Sequence, residues 1–577
     1  MARARSKVEF GDFQTPEGLA AAVCEVADRA VGAQSIDTGE LGRAQADSDS
    51  TAGPSAVSAP FAPKAVLEPT CGLGSILLAA IERFPSLEVA VGFDVNEDYV
   101  AALSRRLSAR HASSKPGLRE GRDRPVRAVE ASVSTRDFFS VDWASVLRSL
   151  PAPLLIIGNP PWVTNAGQGV LGGRNLPPKS NVDLVGLDAR TGKSNFDISE
   201  WMIDALLAAM DRPGDGLAML CKTSVARKLL EKAWRRDLGA FGPSIHRIDA
   251  RRSFGVAVDA CLVTFLRHPA GKTSSARGPT CPVYDSLDAV TPTSILGVRD
   301  GRLLADLSAY EEVVQFVRSP RSRSAPSFQW RSGIKHDCAK VMELTRLDPS
   351  VDQVWEGVVG REPGDAPVSV FENGLGERVT LEESCVFPLL KSGDLARGSM
   401  SDGLVRGGRA VIVPQRAMGE DTEPLRGSAP ATWSYLSKHG SRLDRRSSSI
   451  YQGKPRFSIF GVGPYSFAPW KVAVSGLHKE VRFVLVGPMG GKPTMLDDTC
   501  YFLPFGTEAE ARQYFEVLSS APVGRFLRAF VFPDSKRPIT AGLLAALDLE
   551  ALVERSGRSW SPAFETSRRE ASECSGR

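Results

Sequence analysis

No stretch of the 577-residue chain approaches the roughly 18 consecutive apolar residues of a membrane span. The basic start, MARARSKVEFGDFQTP, is followed by no hydrophobic run, which excludes a secretory signal. The nine cysteines are scattered, never fall in a C-x-x-C pair and show no zinc-like spacing. Neither a disulfide scaffold nor a metal site is therefore expected, and buried thiols in a reducing cytoplasm are. The net charge is only +4, too mild to imply nucleic acid by itself. There is no His-Asn-His cluster, and Pro533-Asp534-Ser535-Lys536 has no partner acid at nuclease spacing, so no cleavage activity is expected. Gly192-Lys193-Ser194 lacks the upstream glycine and the preceding strand of a P-loop.

What is present is ordinary globular composition, 42% hydrophobic and 24% charged, on a chain long enough for two domains. Short apolar runs at 65–67, 89–93, 154–157, 217–220, 245–248 and 261–266 alternate with helical patterns at 75–83, 97–107 and 198–210. An earlier helix carries Leu19, Val23, Val26 and Ala27 at helical spacing. Such alternation predicts an α/β domain over 1–300, a mostly parallel sheet with helices on both faces. Ligands bind such sheets at the carboxyl ends of the strands. Residues 31–63 and 104–127 lack periodicity and read as exposed insertions. From 301 to 555 Gly, Pro, Ser and Arg become frequent, which predicts an irregular, mainly β second domain. Residues 556–577 read as a flexible tail.

The segment from Val66 to Gly74 reads as strand, glycine turn, helix, with Glu68, Thr70, Gly72 and Gly74 in the turn. The next strand ends at Asp94, about 20 residues beyond that turn, where an acid can accept hydrogen bonds from a ribose diol. The pair favours an adenosine-containing cofactor without saying which.

A buried strand then runs into Asn159-Pro160-Pro161-Trp162. Two prolines stiffen the backbone and remove two N–H donors, leaving the Asn amide and the carbonyls as a fixed set of acceptors. That set suits a planar amine. Hydrogen bonds to Asn159 Oδ1 and the Pro160 carbonyl would draw the nitrogen toward tetrahedral geometry and free its lone pair. Trp162 is expected to offer an aromatic face to the ring.

These elements, in this order, resemble the γ class of adenine-N6 DNA methyltransferases of restriction–modification systems, which are class I enzymes using S-adenosylmethionine. The resemblance covers roughly residues 8–268. By it, Phe13, Thr15 and Pro16 of Phe-Gln-Thr-Pro help hold the methionine part of the cofactor, and Glu68 lies near its amine. Asp94 matches the ribose acid. Asp137 with Phe138 matches the pair that reads the cofactor adenine, and Phe254 matches an aromatic that packs on an extruded target base. The implied partner is double-stranded DNA, and the sequence leaves open whether a separate restriction endonuclease accompanies it.

The resemblance continues into the second domain. The segments 330–337, 389–394 and 458–463 look like parts of this class's target-recognition domains. Methylating an adenine inside a duplex requires extruding it, at a cost of a few kcal/mol offset largely by phosphate contacts. Cations and aromatics interleave from 435 to 479, which is the composition of a nucleic-acid surface. Lys391, Arg445, Arg446, Lys454, Arg456 and Lys471 are the candidate DNA contacts. The polar loop 172–181 reads either as a lid or as a passive surface loop. Two rivals stand beside this reading: an amino-methyltransferase acting on RNA or protein glutamine, and a DNA-specificity subunit without turnover.

Overall fold

The computed structural model describes residues 13–33, 61–113, 129–163, 197–236, 241–269, 278–318, 328–347, 367–398 and 408–557. Most of the expected insertion 31–63, the later part of 104–127, the loop 172–181 and nearly all of the tail lie outside the described residues. The chain divides into two compact units, Met1–Leu307 and Ser308–Arg577.

In the first unit, α1 (Glu17–Ala33) precedes β1 (Ala65–Glu68), α2 (Ser75–Arg83), β2 (Val89–Asp94), α3 (Glu97–Ser113), β3 (Glu130–Thr135), α4 (Trp143–Ser149) and β4 (Leu154–Gly158). Then come α5 (Ile198–Ala209), β5 (Gly216–Lys222), α6 (Thr223–Arg235), β6 (Phe241–Ile248), α7 (Ala250–Phe254), β7 (Ala260–Arg267), β8 (Thr280–Tyr284), β9 (Ser294–Arg299) and β10 (Arg302–Leu304). The strands form one sheet in the order β10-β9-β8-β6-β7-β5-β4-β1-β2-β3. Strands β3, β2, β1, β4 and β5 run parallel, and β7 inserts antiparallel between β5 and β6. Strands β1 and β4 are buried at every position, as strands covered on both faces must be. Helices α1 and α2 cover one face, burying Val23, Val26, Ile76 and Leu77 against Val66, Leu155 and Ile157. Helix α5 packs on α4 and α6.

The expected α/β architecture is therefore present. Its apolar runs became β1, β2, β4, β5, β6 and β7. Strand β3 carried little signal because it is a half-exposed edge strand of sequence EASVST. Residues 104–113, expected in an insertion, continue α3 instead.

The second unit has two sheets. Its main elements are β11 (Arg331–Ser332), β12 (Glu343–Arg346), β13 (Val368–Asn373), β14 (Arg378–Glu382), β15 (Val386–Leu390), α8 (Ser392–Arg397), β16 (Arg409–Ile412), α9 (Leu425–Ser428), α10 (Pro430–Lys438) and α11 (Gly440–Asp444). They continue with β17 (Trp470–Ser475), β18 (Phe483–Val486), β19 (Met495–Leu496), β20 (Cys500–Phe505), α12 (Glu508–Leu518) and α13 (Ala521–Phe530). One sheet runs β14-β13-β12-β16-β15-β19, the other β11-β20-β17-β18. Among the described residues no helix is long and apolar enough to cross a membrane.

Candidate active site

The carboxyl ends of β1, β2 and β4 open on a cleft of about 320 Å³. Its walls include Phe13, Gln14, Thr15, Glu68, Thr70, Gly72, Asp94, Phe138, Phe139, Asn159 and Pro161. Nine of the fifteen N-terminal candidates are thus brought to one place from segments far apart in sequence, while Pro16, Gly74, Asp137, Pro160, Trp162 and Phe254 are not among the walls.

Glu68 ends β1, is 3% exposed, and accepts the Leu77 N–H at 2.9 Å. Burial holds its carboxyl well above the ordinary value, and nearby Asp94 pushes it the same way. The following turn needs its glycines. Gly72 has φ 49° and Gly74 φ 80°, and a Cβ on Gly74 would run into the Leu103 side chain. Asp94 fixes the turn from the next strand: Oδ2 accepts Gly72 N–H and Oδ1 accepts Asn96 N–H, each at 2.8 Å. Gln14 Oε1 accepts the Leu73 N–H at 3.0 Å from the other side.

Asn159 stands just past β4. Its Nδ2 donates to the Phe13 carbonyl at 3.1 Å and to Thr15 Oγ1 at 3.3 Å. A carbonyl only accepts, so this contact fixes which end of the amide is nitrogen. Oδ1 is left pointing elsewhere, buried, with no hydrogen-bond partner among the described residues. Thr70 Oγ1, on the same cleft, is in the same state. Buried acceptors are rarely left unpaired, and such a group asks for a donor. Cys71 also lines the cleft, but burial and the acids Glu68 and Asp94 push its thiol far up, so it remains protonated and a poor nucleophile.

Three expectations need correction. Trp162 does not present an open face: it is 6% exposed and donates its indole N–H to the Leu220 carbonyl at 3.3 Å. The chain turns inward after Pro161, and the indole fills the core beneath β5. Its ring lies 6.3 Å from Phe13 and 5.1 Å from Phe254. Phe254, at the end of α7, and Phe13 are both half-buried, and of the trio Phe13 lines the cleft. Asp137 is exposed, outside the cleft walls, and its carboxylate caps a short turn by accepting Phe139 N–H at 3.0 Å. Pro16 is exposed at the start of α1 and Pro160 is buried behind Asn159; neither is a cleft wall.

The candidate DNA contacts divide. Lys471 is 1% exposed and donates to the Ala468 carbonyl at 2.6 Å, with burial lowering its ammonium to about 7. Lys391 pairs with Glu343 at 2.6 Å. Arg446 donates to the carbonyls of Leu443, His336 and Ser458 and stacks 3.7 Å from the Tyr451 ring centre. Lys471 is buried framework, Arg446 is half-buried and held by carbonyls, and Lys391 is ion-paired with its side chain 31% exposed. Arg445, Lys454 and Arg456 are exposed, Arg456 pairing with Asp444 at 3.1 Å. Of the expected aromatics, Tyr435 and Phe457 are core residues, while Tyr451, Phe460, Tyr465, Phe467 and Trp470 are partly exposed.

Sequence reasoning passed over Gln14, Asn96, Tyr99, Arg136, Phe139, Ile198 and Met202, all cleft walls. Gln14 and Phe139 stood inside or beside the motifs quoted for their neighbours. Ile198 and Met202 lie four apart at the start of α5, so they share a helix face.

No family model matches the chain. The type II methyltransferase M.NspV of Nostoc sp. is 38% identical over 551 residues, spanning 95% of this chain and 98% of that protein. Among solved structures, the type IIL restriction–modification enzyme MmeI in complex with DNA aligns with a TM-score of 0.45 at 12% identity, over 84% of this chain and 61% of that one. A modification subunit of a type I restriction enzyme from Vibrio vulnificus aligns at 0.26 and 13%, over 49% of each chain.

Proposed function

The chain belongs to the type II methyltransferases of restriction–modification systems, and from that premise we propose that it methylates the N6 amine of adenine in double-stranded DNA. The observation that carries the reading is the buried Oδ1 of Asn159 at the cleft, without a hydrogen-bond partner among the described residues.

When bound, S-adenosylmethionine, the cofactor of this family, supplies a methyl group on a cationic sulfur, electrophilic enough to need no covalent enzyme intermediate. The cleft suits such a group. Its walls carry the carboxyls of Glu68 and Asp94 for a cation and a ribose, and the rings of Phe138 and Phe139 for a flat base. A positive amine beside Glu68 would draw its raised pKa back down. The orphaned Thr70 hydroxyl is a further polar anchor.

Asn159 Oδ1 accepts an N–H bond of the target amine and helps turn its lone pair toward the methyl carbon. The amine proton leaves to solvent after transfer. Phe13 and Thr15 hold the Asn159 amide in place, so alignment is built before substrate arrives. Trp162 acts as a rigid wedge under Phe254, and Phe254 supplies the ring face for an extruded base. In the second unit the exposed Arg445, Lys454 and Arg456 contact phosphates, and a separate endonuclease is the expected companion.

The test is transfer of a labelled methyl group to mixed-sequence duplex DNA, followed by digestion to nucleosides. N6-methyladenine as the labelled product supports the reading. Label found only in RNA or protein, or on a different base, defeats it.

A further inference from the structure

The second unit holds a polar feature that catalysis does not use. The segments around 331–338, 389–394 and 458–463 are far apart in sequence, yet they lock one short loop. Gly333 N–H donates to the Cys500 carbonyl at 3.1 Å and Ile334 N–H to the Leu496 carbonyl at 2.7 Å. Lys335 and Phe460 exchange both backbone hydrogen bonds, at 2.8 and 2.9 Å. A Cβ on Gly333 would collide with the Leu496 and Asp497 carbonyls, and one on Gly461 with the Gly333 carbonyl. From below, Tyr451 Oη donates to the Lys335 carbonyl and Arg446 to the His336 carbonyl.

Side chains in this loop alternate as in a strand. Ile334 and His336 turn inward, His336 lying 3.4 Å from Glu343, which Lys391 also grips. Lys335 and Asp337 remain outward, their side chains 36% and 33% exposed with Nζ and Oδ2 3.6 Å apart. Asp337 is held at φ 50°, in the left-handed region. A surface ion pair of this kind adds little stability, so the lock is not explained by the pair it carries.

We propose that Lys335 and Asp337 read one G·C base pair in the major groove. The ammonium donates to the guanine O6 and N7, and the carboxylate accepts from the cytosine N4 amine. The Asp337 carboxylate paired to the lysine sets a donor and an acceptor side by side, which matches a base-pair edge better than a phosphate. A base-pair edge presents acceptors and a donor together. A backbone locked on its inner side supplies the rigidity that discrimination needs.

The inference rests on the DNA reading above. Its test uses the full chain, a random-sequence duplex library and sequencing of modified bases. Unaltered protein should show a recognition site containing a G·C pair. Asp337→Asn, which also tolerates the left-handed backbone, and Lys335→Gln should each lose roughly tenfold discrimination at one and the same G·C position. Melting temperature and cofactor binding should not change. Uniform weakening at all sequences, with a shallower salt dependence, would identify a phosphate contact and overturn the proposal. So would full methylation with an unchanged site in both variants. Absence of any DNA methylation by the unaltered chain would instead bring down the underlying function, and this inference with it.

Discussion

In the N-terminal unit, Phe13 and Asn159, 146 positions apart, meet at one cleft with Glu68 and Asp94. In the C-terminal unit, Lys391, Arg446 and Lys471 were expected as DNA contacts and are instead held by a carboxylate and by carbonyls. The two units differ in what places a side chain. A parallel sheet sends every strand's carboxyl end to the same edge, so a motif just past a strand is positioned by topology alone. A two-sheet unit has no such edge, and a count of cations does not say which of them face water. Motif position carries function in the first case, whereas composition does not carry it in the second.

The sharpest way to break that comparison is at Asn159. If the cleft is built around its Oδ1, Asn159→Ala should lower methyl transfer by about 10²- to 10³-fold, the range seen when one fixed polar group is removed from a reacting centre. Cofactor affinity, measured by calorimetry, should fall little, since Glu68 and Asp94 are untouched. Equal loss of both would mean that the residue is a structural turn.

Trp162 tests the same contrast from inside the motif, because its neighbour Asn159 faces the cleft while it fills the core. Trp162→Ala should destabilise the protein by about 3–5 kcal/mol, the usual result of emptying a large aromatic site. A scanning-calorimetry trace with an unchanged melting temperature, alongside lost activity, would restore it as an open stacking surface. Here the sequence was legible only in part. A proline pair shows where the backbone stiffens, but not toward which side the next residue turns. Asp137 failed for a related reason: an acid ahead of two phenylalanines can read a ligand or cap a turn, and the turn took it. Strand β3 was hidden because its exposed edge needs few apolar residues, whereas β1 and β4, buried on both faces, were plain.

Lys471 sharpens the comparison through pH. Its ammonium is lowered from the ordinary 10.5 to about 7 by burial. Between those values the unfolded chain binds the proton that the folded chain releases. Stability therefore rises with pH across that window, and the full penalty is present below about pH 7. Lys471→Met removes the group. The variant should melt above the parent at pH 6, and the gap should narrow steadily toward pH 10. A gap that does not vary with pH would mean the ammonium reaches water and belongs to the surface after all.

The smallest effects separate neighbouring arginines that composition treats alike. Arg445 is exposed, its Nε donating to the Ser441 carbonyl one turn back on α11, at 2.9 Å. Arg446, the next residue, bridges three carbonyls and stacks on Tyr451. Arg445→Ala should leave melting unchanged and reduce the slope of log affinity against log salt for duplex DNA by about 0.9, one released counterion. Lys454→Ala should do the same. Arg446→Ala should do the reverse: the melting temperature falls because three carbonyls lose their donor, while the salt slope holds. If both arginines changed the slope equally, the burial of Arg446 would have to open on binding DNA, and inward-turned cations would regain a place in recognition.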